Sequence, residues 1–247
     1  MHILIAEDDK VNLLVVSRLL DKLGHSSVGV TDGSQALEAL ETGHYDLLFL
    51  DVSMPVLDGL ETAKTVRAKR LDLPIVLLTA YSDPETRAKA KAVGINHFLD
   101  KPLDKESLRG IVDQVLTGTA QGARGAADLQ QDDRLIDLEL VRRRFFDDLT
   151  LLGEVYRMYM EDAPQRLRTI QESLAAGDAA TMGKAAHSLK GISGSVGSTR
   201  LSEAALAVEK AGRAGDLAAA REALPRLETL LAQTINEIRD ILSRLPA

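Results

Sequence analysis

Two runs of four apolar residues, Leu47-Leu48-Phe49-Leu50 and Ile75-Val76-Leu77-Leu78, constrain the fold more than anything else in the chain. Neither alternates apolar with polar, so neither suits a strand with one wet face; both suit strands buried on two faces. They belong to a regular alternation. Candidate strands at His2–Ala6, Ser26–Val30, Asp46–Leu50, Ile75–Thr79 and Asn96–Leu99 interleave with amphipathic stretches at Lys10–Leu23, Gly33–Glu41, Gly59–Lys69, Pro84–Val93 and Lys105–Leu116. Such alternation implies a parallel sheet with right-handed crossovers and helices on both faces. An α/β doubly wound, five-stranded domain is therefore expected over residues 1–118.

At 247 residues the chain accommodates two domains, each with its own core. Aromatics make up 3% and Trp is absent, so the cores must rest on Leu, Val, Ile and Ala. A net charge of -7 argues against a general nucleic-acid binder, and the lack of Cys excludes disulfides, thiol catalysis and cysteine metal sites. No apolar run approaches a membrane span and residues 1–6 carry no signal-peptide pattern, so no membrane association and a cytoplasmic location are expected.

In a doubly wound sheet the functional crevice lies beyond the carboxyl ends of the strands. Glu7, Asp8 and Asp9 follow the first strand there, Asp51 the third; Thr79 ends the fourth, and Lys101-Pro102 follows the fifth. Taken singly, Asp9 reads sooner as a helix cap, while Asp51 is equally a turn residue and Thr79 equally a strand-end residue. Carboxylates, a hydroxyl and an ammonium at the ends of different strands, without a Gly-rich nucleotide loop, point instead to phosphoryl transfer onto a carboxylate. Clustered Asp side chains bind Mg²⁺ while leaving positions for water and phosphate. Asp51 then serves as nucleophile, Lys101 as a point charge on the phosphate, and Thr79 as a hydrogen-bond donor.

With these residues in view, residues 1 to about 117 resemble the receiver domain of two-component signalling. The resemblance rests on Ile3-Leu4-Ile5-Ala6-Glu7-Asp8-Asp9, Leu50-Asp51-Val52-Ser53-Met54-Pro55-Val56-Leu57-Asp58-Gly59, Leu78-Thr79-Ala80 and Phe98-Leu99-Asp100-Lys101-Pro102. It implies Asp51 as phosphoacceptor and Asp8, Asp9 and Asp51, with the Val52 carbonyl, as Mg²⁺ ligands. It further implies Thr79 and Lys101 as phosphate contacts, and Thr79 with Phe98 as a coupled switch. Asn12 resembles receivers of hybrid histidine kinases. Ser53 and Tyr81 stand where the family sets the rate of water attack on the acyl phosphate, and bulky Tyr81 is expected to shield it.

After Leu116 the sequence turns small and Gly-rich, and residues 119–134 read as a flexible linker. From Leu135 to the end (135–247) no strand pattern appears. Helical periodicities run over Asp137–Phe146, Leu151–Ala175, Asp178–Val196, Thr199–Ala214 and Asp216–Leu245, with Gly177-Asp178 and Gly215-Asp216 as stops followed by caps. Short connections make neighbours antiparallel, giving an all-α four-helix bundle. Pro164 and Pro225 suggest bends.

Within the third of these helices, at about 100° per residue, Lys184, Lys190, Gly191 and Gly194 fall within about 60° of His187. Met182, Ala185, Leu189, Ile192 and Val196 fall opposite. His187 is thus expected to face solvent, with two cations beside it and two glycines that each cost about 1 kcal/mol against Ala. Close approach of another backbone is one thing that offsets such a cost.

The stretch from Ala186 to Gly197, with Arg144-Phe145-Phe146 and Asp162-Ala163-Pro164 upstream, is similar to the histidine phosphotransfer (HPt) family. The similarity implies that His187 carries a phosphoryl group, that Lys190 stabilises it, and that Gly191 and Gly194 admit a partner receiver; the helical phase adds Lys184. Expected partners are a sensor or hybrid histidine kinase and a cognate receiver or HPt domain, with no direct DNA contact. No kinase nucleotide box is present, so the chain is expected to be a phosphoacceptor and carrier and not an enzyme. The rival expectation is a docking protein whose bundle inhibits a partner without phosphate on His187.

Overall fold

A computed structural model describes residues 1–69, 72–80, 84–117, 135–145 and 147–245. Tyr81, the expected linker 119–134 and Phe146 lie outside the described residues. The chain divides into two compact units, Met1–Ala127 and Asp128–Ala247.

The first unit alternates β1 (His2–Ala6), α1 (Lys10–Lys22), β2 (Ser26–Val30), α2 (Gly33–Thr42), β3 (Leu47–Asp51), α3 (Gly59–Ala68), β4 (Ile75–Ala80), α4 (Pro84–Ala92), β5 (His97–Lys101) and α5 (Lys105–Thr117). All strand pairs are parallel, in the order β2-β1-β3-β4-β5. The expected doubly wound sheet is thus observed. Its apolar runs lie where both faces are covered: every residue of β3 is buried, as are Ile75 to Leu78 of β4. Strand β2, at the edge, is mostly exposed. Asp9, Asp32 and Asp58 cap α1, α2 and α3, each accepting a hydrogen bond from the amide three residues on.

Strands β3, β4 and β5 differ from the expectation by one or two residues at their ends, and the C-terminal ends of β3 and β5 bear on the site. β3 begins at Leu47 and ends at Asp51, because Asp51 pairs with Leu78 of β4 while the Asp46 carboxylate accepts from the His2 amide at 2.6 Å. β5 extends to Lys101, which pairs with Ala80. Asp51 and Lys101 therefore close their strands instead of lying in the loops beyond them. In this strand order the direction of winding reverses between β1 and β3, so the crevice falls between Glu7 and Asp51.

The second unit consists of a short helix, α6 (Leu138–Arg144), and four long ones, α7 (Leu149–Ala176), α8 (Ala179–Ser195), α9 (Thr199–Ala214) and α10 (Leu217–Arg244). Asp137, Asp148, Asp178 and Asp216 cap four of them. Gly177 and Gly215 end α7 and α9 at φ 76° and 70°, the left-handed C-cap that glycine tolerates. α7 and α10 run on through Pro164 and Pro225. Tyr156, Tyr159 and Phe145 are among the largest fully buried side chains. Arg144, itself buried, donates from Nη1 to the carbonyls of Gly194 and Ser195 at 2.8 and 3.3 Å, capping the end of α8.

α8 and α9 meet at Gly183 and Gly212. A Cβ on Gly212 would stand 2.6 Å from Gly183 Cα and 2.9 Å from the Ala179 carbonyl, all backbone atoms that cannot swing aside. Gly212→Ala is expected to cost the bundle roughly 1–3 kcal/mol in urea unfolding, by forcing the two helices apart. Gly110→Ala in α5, where a Cβ meets nothing within 4 Å, is expected to be neutral or to add up to about 1 kcal/mol.

Candidate functional sites

β1, β3 and β5 deliver Glu7, Asp51 and Lys101 to the crevice. Lys101 Nζ lies 2.6 Å from Glu7 Oε2 and 2.9 Å from Asp51 Oδ1, bridging the two carboxylates. Glu7 and Asp51 are 1% and 5% exposed. Burial disfavours the Lys101 ammonium, but Asp51 and Glu7 outweigh it and raise the lysine above its ordinary range. Burial, reinforced by Asp51, pushes the Glu7 carboxyl up to about 8 against the pull of Lys101. Asn12 Nδ2 donates to Glu7 Oε1 at 3.2 Å. Asn12 thus serves the acidic site directly.

One oxygen from each of Glu7, Asp8 and Asp51 lies within 4.8 Å of the others. An all-oxygen set of three carboxylates fits a hard divalent cation. The membership differs from the expected Asp8, Asp9 and Asp51 with the Val52 carbonyl. Asp9 Oδ1 accepts from the Asn12 amide at 2.9 Å as the cap of α1, and the Val52 carbonyl accepts from the Gly59 amide at 3.1 Å.

Thr79 and Phe98 are both buried, each 3% exposed. Thr79 Oγ1 donates to Asp100 Oδ1 at 2.9 Å, across the β4–β5 ladder in which the two residues are partners. Arg87 of α4 donates from Nη2 to the same oxygen at 2.6 Å, and its guanidinium carbon lies 5.1 Å from the Phe98 ring centroid. Sequence reading missed both Asp100 and Arg87.

In the bundle, Met182, Leu189 and Ile192 of α8 and its C-cap Val196 are buried as the phase requires, but Ala186 is buried and Ala185 half-buried. The small rotation turns His187 inward. Its side chain is only 22% exposed, a correction to the expected solvent-facing histidine. Nδ1 lies 2.8 Å from Glu209 Oε1 on α9. Lys190 Nζ lies 2.6 Å from Glu209 Oε2 and 3.5 Å from His187 Nδ1, and Arg213 Nη2 is 2.6 Å from Glu209 Oε1. Gly191 and Gly194 are half-buried; Lys184 is exposed and acts on Asp178, whose carboxyl Thr181 chiefly holds below its ordinary range.

Glu209 is 1% exposed. Burial opposes its charge, yet the hydrogen bond from His187 and the one from Lys190 hold its carboxyl down at about 2. An ionised carboxylate only accepts, so Nδ1 carries the imidazole proton and Nε2 keeps the lone pair. The Lys190–Nδ1 approach is then a contact between two donors, not a hydrogen bond. Because the folded value lies below the ordinary 4.5, this carboxylate stabilises the fold above that value and loses its effect as pH falls towards about 2. Over that window Glu209→Gln is expected to flatten the acid-unfolding profile, by up to roughly 3 kcal/mol.

The sequence comparisons match both units to known families. A family model described as the response regulator receiver domain matches residues 3–113, and the Hpt domain model matches residues 154–239. The sensor protein EvgS of Escherichia coli K12 is 32% identical over 191 residues, 77% of this chain and 15% of EvgS. The sensory/regulatory protein RpfC of Xanthomonas campestris is 27% identical over 211 residues, 80% of this chain and 28% of RpfC. The chain thus spans less than a third of either relative. Among solved structures, the receiver domain of the sensor histidine kinase PA1611 from Pseudomonas aeruginosa is 33% identical over 47% of this chain and 97% of that one, with a TM-score of 0.44. A receiver fold with an acidic crevice, followed by a helical unit with the Hpt pattern, places this chain in the receiver–HPt family of two-component phosphorelay signalling proteins.

Proposed function

We propose that Asp51 accepts the phosphoryl group in this relay and that His187 carries it. The observation that supports both halves is a shared arrangement: each nucleophile sits beside one lysine and one buried glutamate, Asp51 with Lys101 and Glu7, His187 with Lys190 and Glu209. An Asp51 carboxylate oxygen attacks phosphorus as the bond to the donor's nitrogen or oxygen breaks. Lys101 pairs with the phosphoryl oxygens and Thr79 supplies a hydrogen bond. Glu7, Asp8 and Asp51 would hold Mg²⁺, which when bound neutralises charge on the phosphoryl oxygens.

At the second site His187 Nε2 attacks the phosphorus of an aspartyl phosphate, and the carboxylate oxygen leaves with its electron pair. With Nδ1 already protonated the ring becomes cationic, and Glu209, 2.8 Å away, meets that charge as it develops. Gly191 and Gly194 leave room for a receiver's edge, towards which Lys184 and Lys190 steer it.

In this reading residues 1–118 are the receiver, 119–134 the linker and 135–247 the HPt domain. The protein acts in the cytoplasm as a phosphoacceptor and carrier without turnover of a free substrate. Its partners are a histidine kinase, free or hybrid, and a cognate receiver. The phosphoryl group passes from Asp51 to His187, returns the other way, or serves separate partners at each site. Incubating the chain with a phosphorylated cognate kinase and counting phosphoryl adducts by intact mass tests the reading. Adducts are expected on wild type, and at least one fewer site in each of Asp51→Asn and His187→Gln. Unchanged adducts in either variant would overturn the assignment at that residue.

A further inference from the structure

The Thr79 hydroxyl has one proton, and in this structure that proton goes to Asp100. If Asp51 is the phosphoacceptor, as proposed above, Thr79 serves the phosphoryl group only by giving that bond up. The geometry points to Asp100, braced by Arg87, as a positioning residue that competes with the bound phosphoryl group for Thr79.

Three features carry this. First, the competition is enforced by the sheet: the β4–β5 register makes Thr79 and Asp100 direct partners, and Asp51 pairs with Leu78 one position earlier on β4. Thr79 therefore stands between an acceptor already present and one that arrives with phosphate. Second, Asp100 is held for the task. Its side chain is 13% exposed, and Arg87 places a charge 2.6 Å from the oxygen that receives the Thr79 proton. When Thr79 leaves, Arg87 still satisfies that oxygen, so release does not strand a buried charge. Third, the brace reaches Phe98. The pleat puts Phe98 and Asp100 on one side of β5, and the Arg87 guanidinium that binds Asp100 also covers the Phe98 ring at 5.1 Å. Lys101, on the alternate side, faces Glu7 and Asp51. Loss of the Thr79–Asp100 bond is thereby transmitted to Arg87 and the ring beneath it.

The test uses the full chain and beryllofluoride with Mg²⁺, a stable stand-in for the phosphoryl group, titrated by calorimetry. Asp100→Ala frees the Thr79 hydroxyl and is expected to tighten beryllofluoride binding about tenfold, the scale of a hydrogen bond to a charged acceptor. Asp100→Asn, which keeps a weaker neutral acceptor, is expected to fall between that variant and wild type, and it stands in if the alanine variant does not fold. Arg87→Ala lets the unbraced carboxylate turn to water, and is expected to shift binding the same way by a smaller factor.

Asp100 also carries charge, and its removal would favour any anion nearby, so the deciding arm is a Thr79→Val background. There Asp100→Ala is expected to tighten binding by a much smaller factor, the part owed to charge alone. An equal tightening with and without the Thr79 hydroxyl would mean that Asp100 acts through charge alone and would overturn the competition. So would wild-type binding that Asp100→Ala and Asp100→Asn leave unchanged. No uptake by any form would overturn the Asp51 assignment, and the competition with it.

Discussion

Replacing Glu209 with Leu is expected to slow phosphoryl uptake by His187 roughly 10- to 100-fold, which corresponds to losing about 1.4–2.7 kcal/mol of transition-state stabilisation. Asp51 phosphorylation should not change. Two effects combine. Without an acceptor at Oε1, the imidazole proton is no longer held on Nδ1, so Nε2 is no longer kept as the nucleophilic nitrogen. The cationic ring formed on transfer also loses its counter-charge, and Lys190 and Arg213, both paired to Glu209, add their positive field unopposed. Glu209→Gln separates the two contributions. Its amide oxygen still accepts from Nδ1, so the tautomer survives and only the charge is lost; a slowing of less than about tenfold is expected. The measurement is the rate of transfer from a phosphorylated receiver to His187, with the receiver in excess. Equal rates for Leu and wild type would mean that Glu209 serves the fold alone.

Lys101→Ala is expected to destabilise the metal-free receiver unit by about 3–5 kcal/mol, the cost of stranding buried charge. Lys101 is the cation within 3 Å of both Glu7 and Asp51, and those carboxylates are almost wholly buried with Asp8 beside them. Once it is gone, Asp8 and Asp51 repel each other without compensation, and Glu7, already raised by burial and Asp51, is driven further towards its protonated form. Mg²⁺ is expected to recover much of the loss, because a divalent ion supplies the missing charge. The comparison is denaturant unfolding of wild type and variant in chelator and in Mg²⁺. Wild type should gain less from Mg²⁺ than the variant does. Equal gains would separate the lysine from the acidic group and contradict the bridge.

Local signals made most of the fold legible in the sequence. The apolar runs of β3 and β4 reported burial on two faces, and Gly177-Asp178 and Gly215-Asp216 marked helix ends through the stop and cap they form. Where the reading slipped, a contact distant in sequence decided the outcome. β3 includes Asp51 because β4 pairs with it, which no property of residues 46–51 reveals. Three consecutive acids after β1 look interchangeable, and only the start of α1 sets Asp9 apart as its cap, while Glu7 and Asp8 gather with Asp51.

The helical phase located Lys190 beside His187, but an error of one residue in the buried stripe, Ala186 for Ala185, hid the inward turn of the ring. Glu209 went unseen because its partner is on another helix. A signal was present: it stands at the spacing of Leu201, Ala205, Val208 and Gly212, a lone carboxylate in an apolar stripe. Such a residue demands a cation, and α8 supplies one.

The central claim, that one chain holds both an aspartyl and a histidyl phosphate site, is tested most directly by the stability of its phosphoryl groups. Load the full chain with a small phosphodonor and Mg²⁺, then divide the bound phosphate into an acid-stable, base-labile fraction and a base-stable, acid-labile fraction. Acyl phosphate dependent on Asp51 is expected in the first, and phosphoimidazole dependent on His187 in the second once a phosphorylated cognate receiver is added. If transfer also occurs within the chain, the second fraction appears with the phosphodonor alone and vanishes in Asp51→Asn. Phosphate confined to the acyl fraction, with none on His187 from any donor, would contradict the account and leave the bundle a docking module.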